Sequence, residues 1–416
     1  MKASRAPSVA LLAAAANRGG AHVAAMRLYR GLRQAGCNAA YVTGLVAGDQ
    51  PDIGPPSGRK REITWKMRAR IGRGIARWFD SGADGMQSLN LLPSGIEPRL
   101  VAAGFNVVHL HWVNNEFIAV QDIGCITAPM VWTLHDMWAF CGTEHYLADP
   151  SAYLGPVGTR PSDGPSRLAR WNWERKRRHW AGIRPTLVAP SRWIGELASR
   201  SRLLGHCRVE VVPYGLDLDR FSPTPITGPD SEAFKLVFGA AGGSSDPRKG
   251  FDLCVQAIQV LARTLPTSRF ELITFGETEV PAFGLLPPNV QVQSAGVIES
   301  EEEMARLLAT ADAFIAPSRQ DNLPNTVLEA TACGLPSVAF RIGGMPDMIE
   351  HEVTGYLARP FDVDDLAKGL AWMLSDRTRL RSLKEAARHK AEHEFGSDRQ
   401  ADRMLAIYED AMSGRC

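Results

Sequence analysis

The sequence predicts an α/β protein made of two Rossmann-like domains facing each other across a cleft. Three observations carry that expectation. Short apolar runs alternate with segments of helical periodicity along most of the chain. Gly-rich turns follow several of those runs, at Asn17–Gly20, Ala241–Asp246 and Gly343–Gly344. A stretch rich in Pro, Gly and Ser, Thr224–Glu232, then separates two halves, and 416 residues suffice for two cores of ordinary size. The expected segments are 1–224, 225–395 and a terminal helix over 396–416.

In chain order, Ser8–Ala16 is the first strand. Lys2 and Arg5 ahead of Val9–Ala16 imitate a signal peptide, but Asn17-Arg18-Gly19-Gly20 leads directly into a helical pattern, so a buried strand is preferred. The helix Ala21–Ala35 sets Val23, Met26, Leu28 and Leu32 on one side and closes at Gly36. Gly19 and Gly20 would let backbone approach a ligand; the pattern is not G-x-G-x-x-G, and an ordinary turn is the alternative. Residues 45–100 show little beyond one basic stretch. Asn106–Leu110 and Pro129–Leu134 are strands running into His111 and His135, at the carboxyl ends where parallel sheets bind ligands. Val188–Trp193 is a strand and a helix start.

The second half opens with the strand Lys235–Ala240, the Gly/Ser loop, then Pro247-Arg248-Lys249-Gly250 and a helix over Phe251–Leu265. Phe270–Phe275 and Val290–Val292 are strands, and Glu301–Thr310 is an amphipathic helix. Ala313–Ala316 is the next strand. A helix from Asn325 or Thr326 stops at Gly334 with Pro336 behind it, before the strand Ser337–Phe340. Mixed helices follow over Val363–Leu383, and Asp398–Met412, capped by Ser397, closes the chain.

Seven cysteines form no C-x-x-C pair and are odd in number, which suits free thiols in a reducing cytosol and argues against a metal site. No apolar run is long enough to span a bilayer. Net charge is +2, but residues 1–223 hold 28 Lys+Arg against 17 Asp+Glu while residues 224–416 hold 19 against 28. Two basic stretches, Arg59–Arg77 and Arg167–Arg178, are interleaved with Trp and aliphatic residues. That mixture suits an anionic membrane surface or a phosphate-bearing acceptor, with solvated helix faces as the alternative. Nothing resembles a nucleic-acid module, so no nucleic-acid partner is expected.

The chemistry concentrates around the helix that starts near Asn325. Its amino end offers free N–H groups and partial positive charge to a phosphate. Asp321 lies just before it, and Glu329 follows eight residues later, about two helical turns on from Asp321. One carboxylate can hold sugar hydroxyls and the other ribose hydroxyls; an acid facing the helix dipole beside a solvated Glu is the plain alternative. Arg248 and Lys249, after a Gly/Ser-rich loop, suit a diphosphate.

PSRQDNLPNTVLEATACGLPSVAF followed by IGGMPDMIEHEVTGYL resembles the C-terminal signature of the family 4 glycosyltransferases, in particular the exopolysaccharide and colanic-acid branch. The family motif is Glu, seven residues, Glu; here Asp321 stands first and Glu329 second. LHDMWAFCGTEHY is similar to the same branch, with His135 at the position of the active-site histidine. Val209–Phe221 resembles the linker motif I-P-N-G-I-D, with Tyr214 in place of Asn. Lys249 matches the phosphate lysine. Gly and Ser stand where the family has an Arg, and Arg248 is the candidate replacement.

The resemblance implies the GT-B fold, with an acceptor-side first domain, a donor-binding second domain and a last helix that crosses back. It implies a retaining hexosyltransferase that moves sugar from a nucleotide-sugar to a glycan or polyprenyl-diphosphate-linked acceptor for surface polysaccharide. No cofactor or metal is expected, and the departing phosphate takes the acceptor proton. The expected place is the cytoplasm or the inner face of the plasma membrane. His135, Asp321 and Lys249 are the catalytic candidates. Gly19, Gly20, Arg248, Lys249, Asn322, Asn325, Thr326 and Glu329 would bind donor, while His111, Glu144 and His145 are acceptor-side candidates. The rivals are an epimerase or phosphorylase of similar fold, and a non-catalytic sugar-nucleotide binder or scaffold.

Overall fold

The computed structural model describes residues 6–14, 19–43, 53–54, 59–79, 85–94, 96, 104–224, 232–239, 246–276 and 286–414, with backbone alone for 53–54 and 59–62. They form two compact units, Met1–Pro213 with Gln400–Cys416, and Tyr214–Arg399.

The first unit is built on seven parallel strands: β1 (Ser8–Ala13), β2 (Asn38–Thr43), β3 (Ile53–Gly54), β4 (Val107–Leu110), β5 (Met130–Thr133), β6 (Thr186–Ala189) and β7 (Val209–Val211). Their order is β3-β2-β1-β4-β5-β6-β7, so chain direction across the sheet reverses between β1 and β4. Among the described residues the helices beside them are α1 (Gly20–Gln34), α2 (Arg59–Phe79), α3 (Val120–Gly124), α4 (Arg167–His179) and α5 (Arg192–Ser199). The apolar run of β1 is explained by burial on both faces. Ala10 and Leu12 join the core that holds Trp132, Trp138, Trp173 and Trp180. Val9, Leu11 and Ala13 pack on the other side with Leu28, Leu32, Met404 and Tyr408. The strand reading of this segment therefore holds, ending at Ala13 rather than Ala16; residues 15–18 lie outside those described.

The second unit has six parallel strands, β8 (Ala233–Gly239), β9 (Arg269–Phe275), β10 (Val290–Ser294), β11 (Ala313–Ala316), β12 (Ser337–Phe340) and β13 (Gly355–Ala358). Their order is β10-β9-β8-β11-β12-β13, with the reversal between β8 and β11. Its helices are α6 (Phe251–Thr264), α7 (Glu301–Ala309), α8 (Asn325–Ala332), α9 (Met345–Met348), α10 (Val363–Leu374) and α11 (Arg377–Glu394). The last helix, α12 (Ser397–Met412), starts one residue before its expected bound, and its Met404 and Tyr408 are buried in the first unit's core.

The unit boundary differs from the one expected at 224/225. It falls at Pro213/Tyr214, because the stretch after it is tied into the second unit. Leu216 N donates to Phe395 O, and Arg388 donates to Leu218 O and Phe221 O. Residues 225–231 and the loop over 241–245 lie outside the described residues.

Candidate active site

In the second unit, ligand-type residues gather at the strand reversal, after β8 and β11, where an open parallel sheet leaves a crevice. Asp246 caps the turn Pro247–Lys249 by accepting from Arg248 N, and Gly250 follows in left-handed conformation at φ 72°. A Cβ on Gly250 would stand 2.0 Å from Pro317 O, so only glycine lets the two loops close on each other. They are then stapled: Arg319 N donates to Arg248 O at 2.8 Å, and the Arg319 guanidinium grips the Asp252 carboxylate. Gly343, at φ 51°, plays the same part behind the next loop, where a Cβ would meet Asp321 O at 1.9 Å.

That geometry brings Lys249 Nζ to 2.6 Å from Asp321 Oδ2, with Arg248 Nη1 3.5 Å from the same oxygen. Asn322 N donates to Asp321 Oδ1 at 3.2 Å. Burial works to raise the Asp321 carboxyl, but the Lys249 and Arg248 charges outweigh it and hold it below the usual carboxylate range. Arg248 is held by Asp246 at 2.9 Å and by Gln320 O at 2.9 Å. Just beyond, α8 begins after Pro324 with no side-chain cap. Asn322 and Glu329 are buried, and Asn325 and Thr326 half-buried.

In the first unit, the corresponding reversal lies between β1 and β4. Gly19 sits after β1 at φ 98°, open space around its Cβ position, and Gly20 begins α1. His111 follows β4 and His135 follows β5. The two rings meet, Nδ1 of His111 lying 3.0 Å from Nε2 of His135. Under them His109 stacks on His111 at 4.1 Å and bonds Tyr408 Oη of α12 at 2.8 Å and Thr133 Oγ1 at 2.7 Å. Burial pushes His135 down to about 4 and His109 down to about 3, with His111 also well below its usual value, so the column is neutral at pH 7. His111, Trp112, Asn114, His135 and Asp136 line one small cavity here.

Glu144 and His145 are both engaged by other side chains of the first unit. His145 is buried, donating from Nδ1 to Asp136 Oδ2 at 2.5 Å, with Ser88 Oγ 2.9 Å from its Nε2. Trp112 Nε1 also donates to Asp136, at 3.0 Å. Burial raises the Asp136 carboxyl, but His145 and the hydrogen bonds it receives bring the net effect below the ordinary range. His145 thus positions Asp136, beside His135. Glu144 accepts from Tyr153 Oη and from Thr143 N, supporting the same loop.

Two features escaped sequence reading. Segment 87–94, inside the stretch with little pattern, is a strap that the surrounding elements grip. Trp138 Nε1 and Asn172 donate to Ser88 O, Arg175 to Leu89 O and Asn90 O, and Arg68 to Leu92 O and Pro93 O. The other is Lys176, which is fully buried, its Nζ 3.7 Å over the Trp138 ring and donating to Trp138 O and Cys141 O. So the second basic stretch does not present a uniform face: Arg175 and Lys176 turn inward. The spacing Ala169, Trp173, Lys176, Trp180 is one helical face and was the available signal.

Residues 18–220 match the family described as Glycosyltransferase Family 4, and residues 235–376 match Glycosyl transferases group 1. The chain belongs to the family 4 glycosyltransferases. It is similar to a D-inositol 3-phosphate glycosyltransferase of Saccharomonospora viridis, 30% identical over 49% of this chain and 51% of that one. It thus spans about half the length of the curated relatives it matches. Among solved structures it resembles sucrose-phosphate synthase from Thermosynechococcus elongatus, with a TM-score of 0.67 and 18% identity over 99% of this chain and 100% of that one. It also resembles Anabaena Alr3699/HepE in complex with UDP and glucose, at 0.61 and 15% over 96% and 99%. These likenesses establish the GT-B fold for this family 4 chain.

Proposed function

We propose that this chain is a retaining hexosyltransferase that moves a sugar from a nucleotide-sugar to a glycan or lipid-linked glycan during surface polysaccharide synthesis. The observation that carries it is the cluster of Lys249, Arg248 and Asp321 set before the uncapped amino end of α8, with Glu329 buried about one turn into the helix. Lys249 and the helix N–H groups neutralise a leaving diphosphate, whose charge grows in the transition state. Glu329 holds the donor ribose, Asp321 with Asn322 the sugar, and Asn325 and Thr326 the diphosphate. Pro324 has no N–H to give. In this reading the positive charge that meets the diphosphate comes from Lys249 and Arg248, and no metal is called on. His135, neutral and oriented by His111, hydrogen-bonds the transferred sugar, and the departing phosphate takes the acceptor proton. The solved neighbour with UDP and glucose supports a nucleotide-sugar donor.

The chain works at the inner face of an anionic membrane. No helix of the described residues is long and apolar enough to cross a membrane. On α2, however, Ile63, Met67, Ile71 and Trp78 share one stripe and are 53, 55, 47 and 85% exposed. Exposed Lys66, Arg70, Arg73 and Arg77 flank it, while Ala69 and Ala76 face the protein. That is the pattern of an interfacial helix.

The test is transfer. UDP- and GDP-sugars are incubated with a panel of lipid-linked glycans, reading nucleotide release, the product's anomeric form and the effect of a chelator. Acceptor-dependent release with retained configuration supports the reading. Donor binding with no turnover across the panel would favour the scaffold, and donor epimerisation without acceptor would favour an epimerase.

A further inference from the structure

Lys249 is already engaged by a carboxylate of the protein itself. Asp321 Oδ2 is 2.6 Å from its Nζ, closer than any other cation in the cluster. A diphosphate binding before α8 asks for the same ammonium. Only one of the two partners, Asp321 and Lys249, can move. Asp321 is fixed at its backbone, where Gly344 N donates to its carbonyl at 3.2 Å and Gly343 leaves no room behind it. Lys249 swings on a four-carbon stem and is the more exposed partner, 19% against 8% for the side chains.

We propose that Asp321 is a built-in competitor of the donor diphosphate, so that nucleotide binding exchanges one anionic partner of Lys249 for another. The inference rests on the donor reading above and adds to it a device that sets how tightly nucleoside diphosphate is held. The exchange leaves no buried charge stranded. Arg248 stays beside Asp321 Oδ2, since Asp246 and Gln320 O hold the guanidinium in place, and Asn322 N still donates to Oδ1. This explains why two adjacent cations serve one carboxylate. Arg248 is then a positioning residue that keeps Asp321 charged, and Lys249 is the mobile phosphate ligand. The remaining negative charge of Asp321 lies within a few ångströms of the bound diphosphate and weakens it, which hastens release of the nucleotide product.

The experiment is calorimetric titration of UDP, with GDP in parallel, into the full chain and variants. Asp321→Asn keeps the shape and removes the charge; Asp321→Ser removes it with a smaller side chain, so a packing defect in one does not reproduce the other. Both are expected to bind the diphosphate about tenfold more tightly. In Asp321→Asn/Lys249→Gln the gain should vanish, because the competition has lost its object. Wild-type binding with unchanged or weaker affinity in both single variants would overturn this inference and leave the donor reading standing. A wild-type chain that binds neither nucleotide would overturn both.

Discussion

The Nδ1 of His111 lies 3.0 Å from the Nε2 of His135, so one ring donates and the other accepts, and at least one is neutral. Both folded-state values lie below the ordinary 6.5 because burial penalises the cation. The unfolded chain therefore binds more protons than the folded one below pH 6.5. Stability from these histidines is full above that value and is lost as pH falls through about 4. Urea midpoints should drop between pH 6.5 and 4, and the drop should shrink in His111→Asn. A midpoint flat over that range would contradict a buried neutral column.

Lys176 gives an effect at the other end of the scale. Burial pushes it down to about 7, against 10.5 in the open chain. Between those values the unfolded chain holds the extra proton, so stability should rise with pH across that window. Lys176→Met removes the rise. It also strands Trp138 O and Cys141 O, at a cost of about 1–3 kcal/mol each if nothing else reaches them. Thermal melts at pH 7 and 9 for both proteins check the sign.

Two glycines of α2 should behave oppositely. A Cβ on Gly72 would stand 2.6 Å from Glu116 Cγ and Oε1. That carboxylate cannot swing away freely, because Leu91 N and Leu92 N donate to it. Gly72→Ala should cost about 1–3 kcal/mol. Gly74 has nothing within 4 Å, and Gly74→Ala should stabilise by about 0.5–1 kcal/mol. Melting temperatures that move together would contradict the packing of α2 against Glu116.

For the membrane contact, the apolar stripe is the discriminating element. Met67→Asp/Ile71→Asp should cut co-sedimentation with vesicles of phosphatidylcholine and phosphatidylglycerol at least tenfold, with the melting temperature nearly unchanged because both side chains are exposed. Undiminished binding would remove α2 from that role.

The strands were legible because parallel strands buried on both faces read as apolar runs, as with Val9–Ala13 and Ala313–Ala316. The acid–base cluster was legible because Asp321 and Lys249 lie in short, patterned segments after strands and Glu329 follows on the helix that comes next. The strap over 87–94 was not, since its role is to offer carbonyls to Trp138, Arg68 and Arg175 from distant parts of the chain. Arg68 and Lys176 looked like solvent-facing charge because composition does not say which way a long side chain turns. The partners of His145 were hidden for a related reason: nothing local shows that Asp136 and Ser88 take both of its nitrogens.

The claim on which the rest depends is that a nucleotide-sugar binds along α8 with Glu329 on its ribose. A thermal-shift titration of UDP- and GDP-sugars against wild type, Glu329→Ala and His135→Ala addresses it directly. The wild type and His135→Ala should be stabilised by the same donor, with transfer lost in His135→Ala, while Glu329→Ala shows no shift. A wild-type shift in Glu329→Ala would contradict the account.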